Sequence, residues 1–140
     1  MVRQYRPAMN TYTLEFPAGE VHKNESPIQA AKREVLEELQ ASSVLVPVGS
    51  YSLMMNRTNI KNYLFVGLEL SFVHQKKPED GIKIIEVTRK QLKNMIIKNN
   101  YFQLAGLGIF QIVKEKHGID LLNDPVLKSL SIFEKTICFK

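Results

Sequence analysis

Three glutamates, Glu34, Glu37 and Glu38, crowd into one short stretch of the chain beside Arg33. Residues 28–39 have helical periodicity: at about 100° per residue, Ile28, Ala31, Val35 and Leu39 form one apolar stripe. Glu34 and Glu38 then lie one turn apart on the border of that stripe, with Glu37 three residues from Glu34. The placement is locally unfavourable. Like charges at these spacings cost about 0.2–0.5 kcal/mol per pair, and the helix dipole disfavours anions in its C-terminal half. Arg33, four residues before Glu37, offsets part of this. Carboxylates gathered against both rules are what a hard divalent cation requires, because such ions take oxygen ligands and bridge to phosphate oxygens. Taken alone, the helix also admits a plainer reading as a glutamate-rich solvated face, since glutamate is a strong helix former.

The spacing around the helix is more specific. Gly19 is followed after five residues by Glu25, and after seven more by Arg33-Glu34-Val35-Leu36-Glu37-Glu38-Leu39-Gln40-Ala41. This resembles the box of the Nudix family, which reads glycine, five residues, glutamate, seven residues, then R-E-U-x-E-E-x-G-U with U aliphatic. Every fixed position matches except the last glycine, where Gln40 stands. That glycine suits a helix C-terminus with φ > 0, so its loss is expected to cost modest stability and no ligand. Outside the box, VRQYR at 2–6, EFPAG at 15–19 and the segment 82–87 ahead of a helix are similar to the ADP-ribose and ADP-sugar pyrophosphatase branch. The resemblance thus covers about residues 2–116.

The resemblance implies a pyrophosphohydrolase acting on a nucleoside diphosphate linked to another group, ADP-ribose or another nucleotide sugar, with Mg2+ or Mn2+ as cofactor. It implies Glu34, Glu38 and the Ala18 carbonyl as metal ligands, with Glu37 close by as a further ligand or water-ordering carboxylate. Glu37 and Glu38 are thereby expected in catalysis, and Glu25 with Arg33 forms an ion pair holding the loop against the helix. On this resemblance two metals would clamp the pyrophosphate and lower the pKa of the attacking water. In that branch the arginine at the Arg6 position contacts substrate; the alternative here is an exposed charge at a strand end. The loop between the last strands supplies the base in that branch. Here it reads Lys76-Lys77-Pro78-Glu79-Asp80-Gly81, making Glu79 the candidate base and Asp80 a candidate metal-side carboxylate, although Pro-Glu-Asp-Gly is equally a turn. Where ADP-ribose hydrolases often carry a proline past the box, Asn56-Arg57-Thr58 stands. Arg57 is a candidate phosphate grip or an ordinary loop arginine, and the substrate is not fixed at ADP-ribose.

These residues must be held by a small set of elements. Residues 2–6 read as a short extended segment ending at Pro7, and residues 12–16 alternate before the turn signal Pro17-Ala18-Gly19. Ser26-Pro27-Ile28-Gln29 opens the glutamate helix: serine caps, proline fits the first turn and glutamine reaches back. The helix should run to about Leu39. Residues 44–51 and 63–72, rich in branched and aromatic side chains, read as strands, as do residues 82–87. Thr88 with Gln91 caps a second helix to about Lys98, and a third covers 102–116, with Lys114 and Lys116 in its last turn and Gly118 beyond. Residues 119–140 have no clear pattern. The expected fold is α+β, an α/β/α sandwich with a mixed β-sheet between helices, in one domain spanning 1–140. Only 18 residues precede Gly19, so one or two strands that the family's fold places earlier are expected to be missing. Truncation, a misassigned start, or a sheet completed by a second copy would each explain this; an open edge invites such pairing, and a homodimer is expected.

Composition narrows the function classes. The apolar fraction is 44% and the charged fraction 24%, which argues for an ordinary globular domain and against disorder. No run approaches the ~20 apolar residues needed to span a bilayer, and residues 1–10 lack the apolar stretch of a signal peptide, so a soluble cytoplasmic protein with no membrane partner is expected. A single cysteine, Cys138, excludes an internal disulfide framework and a cysteine-based zinc site. The net charge is +5, with residues 1–50 holding five basic against six acidic residues and residues 51–140 fourteen against eight. The lysines of the second part lack regularly interleaved aromatics and read as solvated surface; a nucleic-acid partner is not expected. Two other functions remain open, a nucleotide sensor with little turnover and a basic RNA- or cap-binding domain. Gly106 and Gly108 read as small residues permitting close helix packing, and Phe110, Ile112 and Val113 as core. His22, His74 and His117 show no ligand spacing.

Overall fold

The computed structural model describes residues 1–73, 80–101 and 103–125. Strand β1 (Val2–Arg6) and strand β2 (Thr11–Glu15) form an antiparallel hairpin around a single 3-10 turn at Pro7–Met9. Proline's fixed φ suits that turn, and Asn10 closes it in the left-handed region at φ 50°, where its side chain accepts a hydrogen bond from the Tyr5 hydroxyl at 2.5 Å. Helix α1 (Pro27–Leu39) follows, then β3 (Ala41–Tyr51), β4 (Asn62–Phe72), the two-residue β5 (Lys83–Ile84), α2 (Arg89–Ile97) and α3 (Leu104–His117). β1 lies between β2 and β5 in a three-stranded sheet, and β3 pairs with β4 in a two-stranded one. All these pairings are antiparallel. The α+β class expected from the sequence holds. No helix of the described residues is long and apolar enough to cross a membrane.

The helix starts follow the capping chemistry read in the sequence. Ser26 N–H donates to Gln29 Oε1 at 2.8 Å, with Pro27 at the first helical position. At α2, Gln91 N–H donates to Thr88 Oγ1 at 3.2 Å while Thr88 N–H donates to Gln91 Oε1 at 2.8 Å. At the end of α1, Gln40 takes the left-handed conformation, φ 51°, that the family's glycine would occupy. Its side chain compensates: Nε2 donates to Glu37 O at 3.0 Å, a carbonyl that the helix end leaves open, and to Leu36 O at 3.1 Å, which also accepts the Gln40 N–H.

Two clusters make the core. Val2, Leu39 and Ala41 join α1 to β1, with Val35, Ile82 and Ile84 packed around them. Val46, Val48, Val113 and Ile119 pin α3 against the β3–β4 sheet, surrounded by Leu64, Val66, Leu68, Ile109, Ile112 and Leu121. Lys116 Nζ donates to Val48 O at 2.8 Å across the same junction.

The structure departs from the sequence reading at several ends. β3 begins at Ala41, because the turn at Gln40 delivers the chain directly into pairing with Phe72. The strand expected over 82–87 reduces to Lys83–Ile84, since its ladder meets β1 only at Val2 and Arg3. Gly106 does permit close packing, for a Cβ there would overlap the Tyr101 hydroxyl, whereas nothing lies within 4 Å of a Cβ built on Gly108. The expected third helix starts at Leu104, two residues late. Past Gly118, whose φ is 64°, the unplaced segment contributes Ile119, which is fully buried. His74, the loop at 76–79 and Cys138 lie outside the described residues. Replacing Ile119 with alanine is expected to destabilise the fold by about 2–5 kcal/mol, read as a lower urea midpoint.

Candidate functional site

The glutamate helix is organised by Arg33. Its Nε and Nη2 reach the two oxygens of Glu25 at 3.1 and 3.2 Å, Nη1 reaches Glu34 Oε1 at 2.5 Å and Glu37 Oε2 at 3.0 Å, and Nη2 also donates to Glu20 O at 2.9 Å. One guanidinium thus ties three carboxylates and a loop carbonyl together, which its planar fork of five N–H donors allows. The hydrogen bond to Glu25, with that to Glu34 next, holds Arg33 even further above its ordinary range. Glu25 is held below the usual carboxylate range, first by Arg33 and then by the His22 backbone N–H at 3.0 Å.

The other two box positions face the loop before the helix. Glu38 is 5% exposed, and its Oε2 accepts the Ala18 N–H at 3.2 Å. Glu34 lies so close to Gly19 that a Cβ there would require its carboxyl group, held by Arg33, to move. Ala18 and Glu38 line a polar cleft of about 250 Å³ together with Arg6 and Asp80. Of the candidate residues, then, the structure brings Ala18, Glu34, Glu38, Asp80 and Arg6 to one region, with Glu37 on the exposed side of Arg33. Arg57 lies in the loop between β3 and β4 and is not part of the cleft lining. Glu79 lies outside the described residues.

Arg6 is engaged across the hairpin. Its Nε and Nη2 bind both oxygens of Glu15, at 2.8 and 2.7 Å, and Glu15 also accepts the Thr13 hydroxyl at 2.5 Å. The alternation of β1 and β2 puts Arg6, Thr13 and Glu15 on one face, so two long side chains meet along it. The Arg6 bond, with the Thr13 bond adding to it, outweighs the opposing effect of burial and leaves the Glu15 carboxyl below its ordinary pKa. Nη1 of Arg6 has no hydrogen-bond partner among the described residues.

A further contact is absent from the sequence reading. The Gln103 carboxamide accepts the Phe16 N–H at 2.9 Å and donates to Phe16 O at 3.3 Å. The two residues are 87 apart, and no local spacing signals their meeting.

The donor chemistry at the cleft is hard oxygen, which fits Mg2+ or Mn2+ and not a thiolate-seeking metal. No group of three carboxylate, imidazole or thiol side chains among the described residues is gathered closely enough to hold an ion, and Arg33 engages Glu34 and Glu37. A larger groove of about 410 Å³, lined by Leu14, Val87 and Met95 among others, contains none of the candidate residues.

Comparison with known proteins places these features in a family. Residues 1–98 match the model described as NUDIX domain. A mouse protein named ADP-sugar pyrophosphatase is 55% identical over 38 residues, 27% of this chain and 17% of that protein. A protein of Bacillus subtilis (strain 168) named ADP-ribose pyrophosphatase is 27% identical over 97 residues, 69% of this chain and 52% of that protein. The chain therefore spans about half the length of one relative and less of the other.

The Arg6–Glu15 pair gives a pH signature. Because the folded pKa of Glu15 is depressed, its contribution is complete above the unfolded value of about 4.3 and is lost as pH falls through the folded one. The stability advantage of wild type over Glu15→Gln, measured by urea unfolding, is expected to be full near pH 7 and to shrink progressively as pH falls below about 4.3.

Proposed function

This chain belongs to the NUDIX domain family, and from that premise we propose that it is a divalent-metal-dependent pyrophosphohydrolase of nucleotide sugars, with ADP-ribose the first substrate to test. The observation that carries the reading is the buried Glu38 carboxylate at the back of a polar cleft shared with Ala18, Arg6 and Asp80. The names of the two relatives support the substrate class.

In this reading Glu34, Glu38 and the Ala18 carbonyl would hold Mg2+ or Mn2+, with Asp80 lining the same cleft. Bound there, the metal supplies charge neutralisation at the pyrophosphate and a lowered pKa for the attacking water. The chain's own residues do the rest. Arg6, fixed by Glu15 through two of its nitrogens, presents Nη1 to a phosphate oxygen. Glu37, half exposed, orders the water. Glu79 is the candidate base. Water forms a new P–O bond, the bond from phosphorus to the bridging oxygen breaks, and two phosphate monoesters leave.

A second reading, a nucleotide sensor with little turnover, is favoured by one observation: Arg33 already occupies Glu34 and Glu37. Mg2+-dependent hydrolysis of ADP-ribose, other nucleotide sugars, dinucleoside polyphosphates and nucleoside triphosphates separates the two. The enzyme reading expects selective cleavage that falls by about two to three orders of magnitude in Glu38→Gln. Binding of ADP-ribose without turnover by folded protein would leave the sensor. A homodimer, formed through the outer edge of β2, is a further part of the proposal, and sedimentation of a monomer alone would remove it.

A further inference from the structure

We propose that Gln103 is a positioning residue for the site, fixing the Ala18 carbonyl from a part of the chain beyond the residues 1–98 matched by the NUDIX model. The argument starts at the end of β2. The strand stops at Glu15, so Phe16 has no ladder partner, and Pro17 has no N–H to give. Gln103 supplies the missing partner. Its carboxamide offers Phe16 the same acceptor and donor that a neighbouring strand's peptide group would, at 2.9 and 3.3 Å.

The amide is itself fixed. The Tyr101 hydroxyl donates to Gln103 Oε1 at 3.1 Å, and burial pushes the Tyr101 phenol up, so it remains a donor. The Phe16 ring packs edge-on against Tyr101 and Phe110, with centroids 6.1 and 6.0 Å away. Gly106 leaves room for the Tyr101 hydroxyl. On the other side, the Ala18 N–H is held by Glu38 and Gly19 lies against Glu34. The Ala18 carbonyl is therefore set between two anchors, one from α1 and one from the residues leading into α3. A partner that orients a metal ligand without touching the metal typically changes metal affinity by about 10–100-fold when removed.

The inference rests on the metal-site reading above, and its test separates the two. Gln103→Met keeps the side chain's length and apolar packing but removes every polar contact to Phe16. Binding of Mn2+ alone is measured by the electron paramagnetic resonance of the free ion, below the Tm of each variant, for wild type, Gln103→Met and Glu38→Gln. The expected result is Mn2+ affinity about 10-fold weaker in Gln103→Met, with the protein folded. Where the methionine variant does not fold, Gln103→Glu, which keeps the acceptors and loses the donor to Phe16 O, carries the same test. A folded Gln103 variant that binds Mn2+ as wild type does, whatever its Tm, overturns the proposal if Glu38→Gln binds more weakly. If Glu38→Gln also binds as wild type does, the metal-site reading falls, and this inference with it.

Discussion

The guanidinium of Arg33 holds together groups that would otherwise drive one another apart. Glu34, Glu37 and Glu38 sit within the last two turns of α1, where like-charge repulsion and the helix dipole both oppose them. Arg33 neutralises part of that charge from the same helix and, through Glu25 and the Glu20 carbonyl, ties the preceding loop to the helix face. Its side chain is 23% exposed and that of Glu25 16%, so these bonds are screened less than an ordinary surface pair. A lysine could replace the charge but not the planar fork that reaches several acceptors at once.

The rest of the site is arranged around the four residues Phe16–Gly19. Phe16 is bonded by Gln103 and Ala18 by Glu38 of α1, Pro17 is restricted by its own ring, and Gly19 lies against Glu34 of the same helix. The two hydrophobic clusters make this possible. One seats α1 on β1 and sets the height of Glu38 above the hairpin; the other seats α3 on the β3–β4 sheet, and the chain entering α3 brings Gln103 to Phe16. Loop order here comes from packing between elements far apart in the chain, since the loop has little regular structure of its own.

What could be read in the sequence was whatever local chemistry decides. The caps at Ser26 and Thr88 depend on residues three apart, and the left-handed turn at Gln40 occupies a position where the box pattern calls for glycine. The Arg6–Glu15 pair lies at an intermediate level: alternation on a hairpin puts both residues on one face, but only once the register is known. Gln103 and Ile119 could not be read this way. A glutamine before a helix and an isoleucine after one acquire their roles from which surface the chain packs on, and that depends on the whole fold. The segment 82–87 was overextended for the same reason. Its residues suit a strand, yet strand length is set by the partner, and β1 offers it two positions.

The charge balance of the box bears on what can approach it. Among the described residues the ion pairs of Glu25, Glu34 and Glu37 all run to Arg33, and Arg6, which lines the cleft with Glu38, is paired with Glu15. A pyrophosphate is itself an anion and meets net repulsion from such a set unless positive charge comes with it. The basic excess of residues 51–140 attracts anions over a distance but does not cancel carboxylates at the cleft itself. The divalent cation proposed above would supply that charge, at the same carboxylates that make the helix costly to form. Arg33 lowers that cost through Glu34 and Glu37, while Glu38 lines the cleft and accepts the Ala18 N–H.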